Sequence, residues 1–242
     1  MRRSTRGVIR REDLVPKRIA RLERRDPERV IQLLEPLALE RRRERLMEVI
    51  ERRLESVTVI FDAPHDPHNG AAVLRTCEAF GIQTLHVVER REPFLAAGSV
   101  ARSAEKWVDV EAHVDAESAI AAVRAKGMLL VGAHPDGELL PADLADIPRF
   151  ALVLGNERDG ITEELAQACD RRVRVPMRGF VESLNVSVTA AILLSHMGSR
   201  SGDLSPSERR RLYARGLYFS VQKSDSVLTL SMPGDGTGES RS

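Results

Sequence analysis

Phe150-Ala-Leu-Val-Leu-Gly-Asn-Glu-Arg-Asp-Gly-Ile-Thr-Glu-Glu-Leu-Ala-Gln-Ala-Cys169 reads as a strand, a polar turn and a helix. The apolar run Phe150–Leu154 suits a buried strand, and the segment from Glu163 to Cys169 has a helical pattern. Between them, Gly155 lets a ligand approach the backbone, Gly160 permits a tight turn, and Thr162 stands where a helix cap belongs. The same alternation runs outward in both directions. Upstream, strands are expected at Val57–Phe61, Thr84–Val88, Trp107–Val110 and Met128–Gly132, with helices at Gly70–Phe80 and Ala116–Lys126 between them. Downstream come a strand at Arg172–Val175 and a long, very apolar helix at Leu184–Met197. This order predicts an α/β domain with a mostly parallel sheet over residues 57–202. Ligands on such sheets lie outside the carboxyl ends of the strands, so the loops that follow strands are the candidate site.

Charge divides the chain differently. The 242 residues carry a formal net charge of +1, but residues 1–56 hold 17 basic and 11 acidic side chains, a net of +6. The remainder, with 20 and 25, is mildly acidic. A basic arm on an acidic body suits a polyanionic partner. Within the arm, Leu46, Met47, Ile50 and Leu54 form one apolar helical face, so residues 1–56 read as a largely helical extension. Residues 203–242 read as a tail: a basic helix at Pro206–Leu217, then a Ser/Gly/Asp-rich end expected to be disordered from Gly234.

Several classes are excluded. No run approaches about 18 apolar residues, so no membrane helix is expected, and the basic N-terminus lacks the apolar core of a secretory signal. Two cysteines, Cys77 and Cys169, cannot build a disulfide scaffold, and they point to the reducing cytoplasm. Aromatic residues make up 4%, too few for extensive base stacking. Neither GxxxxGK[ST], a strand-linked GxGxxG nor GxSxG occurs. His65 and His68, with Asp62 and Asp66 nearby, lack a third well-spaced ligand, and no metal is expected.

Three segments after strands carry polar residues. In the first, Asn69 is expected to cap a helix that carries Arg75 six residues later. A helix start beside an arginine suits a phosphate or carboxylate, although Arg75 on a capped helix can also simply reach solvent. The second holds Asn156 and Glu157 directly after the strand end at Leu154. The third runs Val175-Pro-Met-Arg-Gly-Phe-Val-Glu-Ser-Leu-Asn-Val-Ser187, with Ser183 or Asn185 as the cap of the apolar helix.

In this order the three segments resemble the motifs of the SpoU/TrmH family of RNA 2′-O-ribose methyltransferases, within the SPOUT superfamily. Asn69 and Arg75 match the first motif. Gly155, Glu157 and Gly160 match the second. Pro176-Met177 and Ser183 to Ser187 match the third. The likeness runs from about Arg41 to Arg200. The basic helix before the first strand and the Cys77-Glu78-Ala79 context are most similar to the TrmH-type tRNA (guanosine-2′-O)-methyltransferases.

The resemblance implies a SPOUT-type parallel sheet with a C-terminal trefoil knot, behind a basic helical N-terminal extension. It also implies a homodimer with the active site at the interface. S-adenosyl-L-methionine is the implied cofactor. Ala133, Leu154, Gly155, Asn156, Val175, Met177, Leu184 and Asn185 are its expected binding residues. Arg75 is the implied central catalytic residue, with Asn69, Glu157, Ser183 and Asn185 in support. The expected reaction is ribose 2′-O-methylation of tRNA at a D-loop guanosine. The alternatives are 23S rRNA as substrate and an RNA-binding module without catalysis.

Overall fold

The computed structural model describes residues 17–64, 66–89, 104–156 and 158–231. The chain divides into two units, one spanning residues 53–203 and one formed by residues 18–52 together with the segment from Leu204 onward.

The first unit is an α/β domain built on a six-stranded sheet. Its strands are β1 (Val57–Asp62), β2 (Thr84–Val88), β3 (Asp109–His113), β4 (Leu129–Ala133), β5 (Phe150–Leu154) and β6 (Arg171–Val173). Their order is β3-β2-β1-β5-β4-β6, and every pairing is parallel. The central strands β1 and β5 are buried along their whole length. That is why they read as continuous apolar runs instead of alternating ones.

Each face of the sheet carries its own core. On one, Val59, Phe61, Leu85, Leu152 and Leu154 meet Val73, Leu74 and Cys77 together with Ala190, Leu193 and Leu194. On the other, Ile60, Leu130, Ala151 and Val153 meet Ala119, Val123 and Leu165.

Local chemistry moves several boundaries. The helix expected from Gly70 begins at Pro67, because Asp66 accepts the His68 N–H at 2.8 Å and Pro67 suits the first helical position. Asn69 is therefore not the cap but sits in the first turn. Thr162 occupies the cap position before Glu163–Ala168, yet its side chain makes no capping bond. The third strand starts at Asp109, after a single 3₁₀ turn at Ala104–Lys106. The apolar helix runs Val186–Ser195 and continues as a 3₁₀ turn, His196–Ser199. Asn185 caps it through the Ser187 N–H at 2.8 Å.

The second unit is helical: α1 (Lys17–Glu23), α2 (Pro27–Leu34), α3 (Glu40–Glu51), and two later helices, Pro206–Ser220 and Ser224–Ser231. Numbered in chain order with the helices of the sheet domain, Pro67–Ala79 is α4, Ala116–Ala125 α5, Glu163–Ala168 α6, Val186–Ser195 α7, and the last two α8 and α9. Segments read separately from the sequence, near the two ends of the chain, thus meet in one unit. Ile19, Leu22, Val30, Ile31, Leu34, Leu46 and Ile50 are buried, and so are Leu212, Leu217, Tyr218 and Leu228. Arg215 is buried and donates to Glu23 Oε1 at 2.7 Å, so its charge is paired inside the unit. Tyr213 donates to Glu35 at 2.7 Å. Among the described residues no helix is long and apolar enough to cross a membrane.

Candidate active site

The strand order reverses direction between β1 and β5, and the chain leaves the carboxyl ends of β4, β5 and β6 around a cavity of about 450 Å³. That volume suits a small organic ligand. Three loops and the start of α7 form its walls. Ala133 and His134 come from the end of β4, Leu154 to Asn156 with Gly160 and Ile161 from the β5 end and its loop, and Val175, Met177 and Glu182 to Val186 from the segment after β6.

The β5 loop is folded back on itself. Asn156 and Gly160 exchange backbone hydrogen bonds of 3.2 and 3.1 Å. The Asn156 side-chain oxygen accepts the N–H groups of Arg158 and Asp159, both at 2.9 Å. Gly160 takes a φ of +69°, a value that favours glycine. Gly155 lies so close to the returning chain that an added Cβ would stand 2.0 Å from the Gly160 carbonyl carbon. Asp62, fully buried at the end of β1, accepts the Thr162 N–H at 2.7 Å and fixes the loop's far end.

The β6 loop is tied by Asn185. Its Oδ1 accepts from the Ser187 N–H and from the Ser187 hydroxyl, at 2.8 and 2.6 Å. Its Nδ2 donates to Asn69 Oδ1 at 3.0 Å, joining α4 to α7 across 116 positions of sequence.

Every residue expected from the sequence to hold a cofactor lines this cavity: Ala133, Leu154, Gly155, Asn156, Val175, Met177, Leu184 and Asn185. Ser183 lines it too, and Asn69 adjoins it through Asn185. Glu157 lies outside the described residues. Arg75 is elsewhere. It lies six positions after Asn69 on α4, and at about 100° per residue the two side chains leave the helix about 120° apart. Arg75 is exposed and faces a second concavity, of about 540 Å³, with Thr76, Phe80, Ala104 and Trp107. Within one chain Arg75 is therefore not among the residues that line the cavity.

Sequence reasoning places Asp62 only beside His65 and His68 and not as a loop anchor; it misses Glu182 and His134, and reads Thr189 only as a polar group able to hydrogen-bond a neighbouring loop. The last three line the cavity. The only available signal for Asp62 is a lone carboxylate ending an apolar strand. Glu182 and His134 are the titratable side chains among the described lining residues. Among the described lining residues there is no cysteine and no pair of carboxylates, and their geometry suits binding and positioning.

A sequence profile of the SpoU rRNA Methylase family matches residues 56–195. The chain is 31% identical over 185 residues to the tRNA (guanosine(18)-2′-O)-methyltransferase of Escherichia coli (strain K12), covering 72% of this chain and 81% of that protein. Its fold is similar to that of the A. aeolicus TrmH/SpoU tRNA modifying enzyme, with a TM-score of 0.62, 28% identity, and coverage of 76% of this chain and 98% of that one. It is also similar to a solved AdoMet-bound rRNA methyltransferase from Sinorhizobium meliloti. There the TM-score is 0.54 and identity 25%, covering 63% of this chain and 59% of that one.

Proposed function

This chain belongs to the SpoU rRNA methylase family, and from that premise we propose that it methylates a ribose 2′-hydroxyl of tRNA, at a D-loop guanosine, with S-adenosyl-L-methionine as methyl donor. The observation that carries the reading is the convergence of three distant segments on one cavity, which is lined by all eight residues that the family resemblance assigns to the cofactor. The tRNA-modifying relatives support tRNA over rRNA as the substrate.

The cavity fits the cofactor. Leu154, Val175 and Met177 give an apolar wall. Backbone groups around Gly155, left uncovered by a side chain, and the Asn185-capped start of α7 give a polar one. The cofactor supplies a methyl carbon made electrophilic by its sulfonium. The residues of the chain do the rest. Asn69 and Asn185 hold the two walls in register, and Ser183 and Glu157 position the ribose. Held by these residues, the cofactor would pass its methyl group to the ribose 2′-oxygen and leave as a neutral thioether, and the hydroxyl proton would pass to solvent water. Arg75, which stays cationic, stabilises the charge developing on that oxygen.

Because Arg75 faces away from the cavity of its own chain, the reading takes the two from different copies in a homodimer, with the site at the interface. The resemblance to the family extends the same reading to a knotted C-terminal segment. Alkaline hydrolysis tests the reaction class. Methyl label transferred to a ribose 2′-oxygen makes the adjacent phosphodiester alkali-stable, so the label is expected in dinucleotides. Label in mononucleotides would place it on a base and overturn the proposal.

The basic N-terminal extension grips RNA phosphates in this reading. Deleting residues 1–36 would remove Ile19, Leu22, Val30, Ile31 and Leu34 from a helical core, so point substitutions test it better. Arg41 and Arg45 are exposed on α3. Arg41→Ala and Arg45→Ala are each expected to weaken tRNA binding and to lower the slope of log affinity against log salt by about 1. An unchanged slope in both variants would remove α3 from the RNA surface.

A further inference from the structure

Away from the cavity, one pair of strands carries a cluster of ligating side chains that methyl transfer does not use. In the parallel register of β2 and β3, His86 lies opposite Glu111, and Val88 opposite His113. Strand alternation then puts His86, Glu111 and His113 on one face at the sheet's edge. The side chains converge there. His86 Nδ1 lies 2.9 Å from His113 Nε2 and 3.4 Å from Glu111 Oε2. One ligand atom from each residue falls within 4.8 Å of the others. His86 is fully buried, while Glu111 and His113 are partly open to solvent. Among the described residues, His86 Nε2 is buried without a hydrogen-bond partner. The Nδ1 edge therefore carries the ring's polar contacts.

We propose that His86, Glu111 and His113 form a divalent transition-metal site that clips the edge strand β3 to β2. Two imidazoles and one carboxylate, with a fourth position open to water, suit zinc. Ligand bonds of about 2.0–2.1 Å in tetrahedral geometry separate neighbouring ligand atoms by about 3.3 Å. The His86–Glu111 separation of 3.4 Å already matches. The histidine pair must open by about 0.4 Å from hydrogen-bond distance, a shift that the partly exposed His113 ring supplies by rotating. Burial holds both imidazoles below their ordinary pKa, and therefore in the neutral form that binds metal. Of the charges acting on the pair, Lys126 opposes a bound cation, and Glu111 and Asp115 favour one.

The test uses the full-length chain, stripped with a chelator, loaded with zinc chloride and passed through a desalting column. One equivalent of zinc is expected to remain by elemental analysis. The thermal midpoint is expected to rise by about 5–10 °C at a hundredfold excess over the dissociation constant. His113→Ala and Glu111→Gln should both lose the retained zinc and the shift. Glu111→Gln keeps shape and hydrogen bonding, so it decides the matter if His113→Ala fails to fold. Zinc retained equally by the variants, or by no form of the protein, would leave the cluster a hydrogen-bonded histidine pair and overturn the proposal.

Discussion

Arg75→Ala is expected to lower methyl transfer by at least about 10²–10³-fold while S-adenosyl-L-methionine affinity stays within a few-fold. The size follows from removing a preorganised cation at the point where negative charge develops. The selectivity follows from geometry, since Arg75 does not line the cavity. Calorimetric binding of the cofactor and single-turnover transfer measure the two effects separately. Transfer at the unsubstituted rate would remove Arg75 from the chemistry.

The same variant tests the two-chain site. Paired with a chain whose cavity is blocked, an Arg75→Ala chain still offers an intact cavity, and its partner still offers Arg75. Mixed dimers are then expected to regain part of the activity that neither variant has alone. If Arg75 served the cavity of its own chain, no mixture would recover activity.

The blocking substitution is the second large effect. In Gly155→Ala the new methyl carbon meets backbone, 2.0 Å from the Gly160 carbonyl carbon and 2.2 Å from the Ile161 nitrogen. No rotamer relieves that overlap, so the loop from 155 to 161 must move as a piece. A misplacement of about 1 Å costs about 10²-fold in rate, so methyl transfer is expected to fall by at least that factor and cofactor affinity to fall with it. Gly160→Ala is the informative control. An added Cβ there meets nothing within 4 Å, and only the positive φ opposes it, at a cost of about 1–2 kcal/mol. Circular dichroism on both variants separates loop displacement from unfolding. Cofactor binding by Gly155→Ala at the unsubstituted level would mean that the folded-back loop does not shape the cavity.

Much of the sheet was legible because its strands are buried on both faces. Phe150–Leu154 and Thr84–Val88 stand where the apolar runs put them, with the same limits. The cavity's lining was legible only through the order of motifs. Leu154, Met177 and Leu184 have no common local pattern, and they meet because the topology sets β5 and β6 on either side of β4 with all three carboxyl ends at one edge. The cap at Asp66 went unread because Asn69 is an equally good capping residue. Only the turn geometry around Pro67 decides between them.

Three further features depend on contacts between segments far apart in sequence, which leave no periodic trace. The pairing of residues 18–52 with those after 203 joins a stretch read as a largely helical basic extension to one read as a tail with a basic helix. The hold of Asp62 on Thr162 spans 100 positions. The grouping of His86 with Glu111 and His113 needs the register of β2 on β3. Arg75 is a different case. Helical arithmetic alone turns it away from Asn69, and the consequence for the site emerges only once the cavity is seen beside Asn69.

The most direct measurement is transfer from labelled S-adenosyl-L-methionine to unmodified tRNA and to 23S rRNA in parallel, with nuclease mapping of the label. Label is expected in tRNA, in a 2′-O-methylguanosine of the D-loop, and at least about 10²–10³-fold less of it with Arg75→Ala. Label confined to 23S rRNA, or absent from both RNAs, would contradict it.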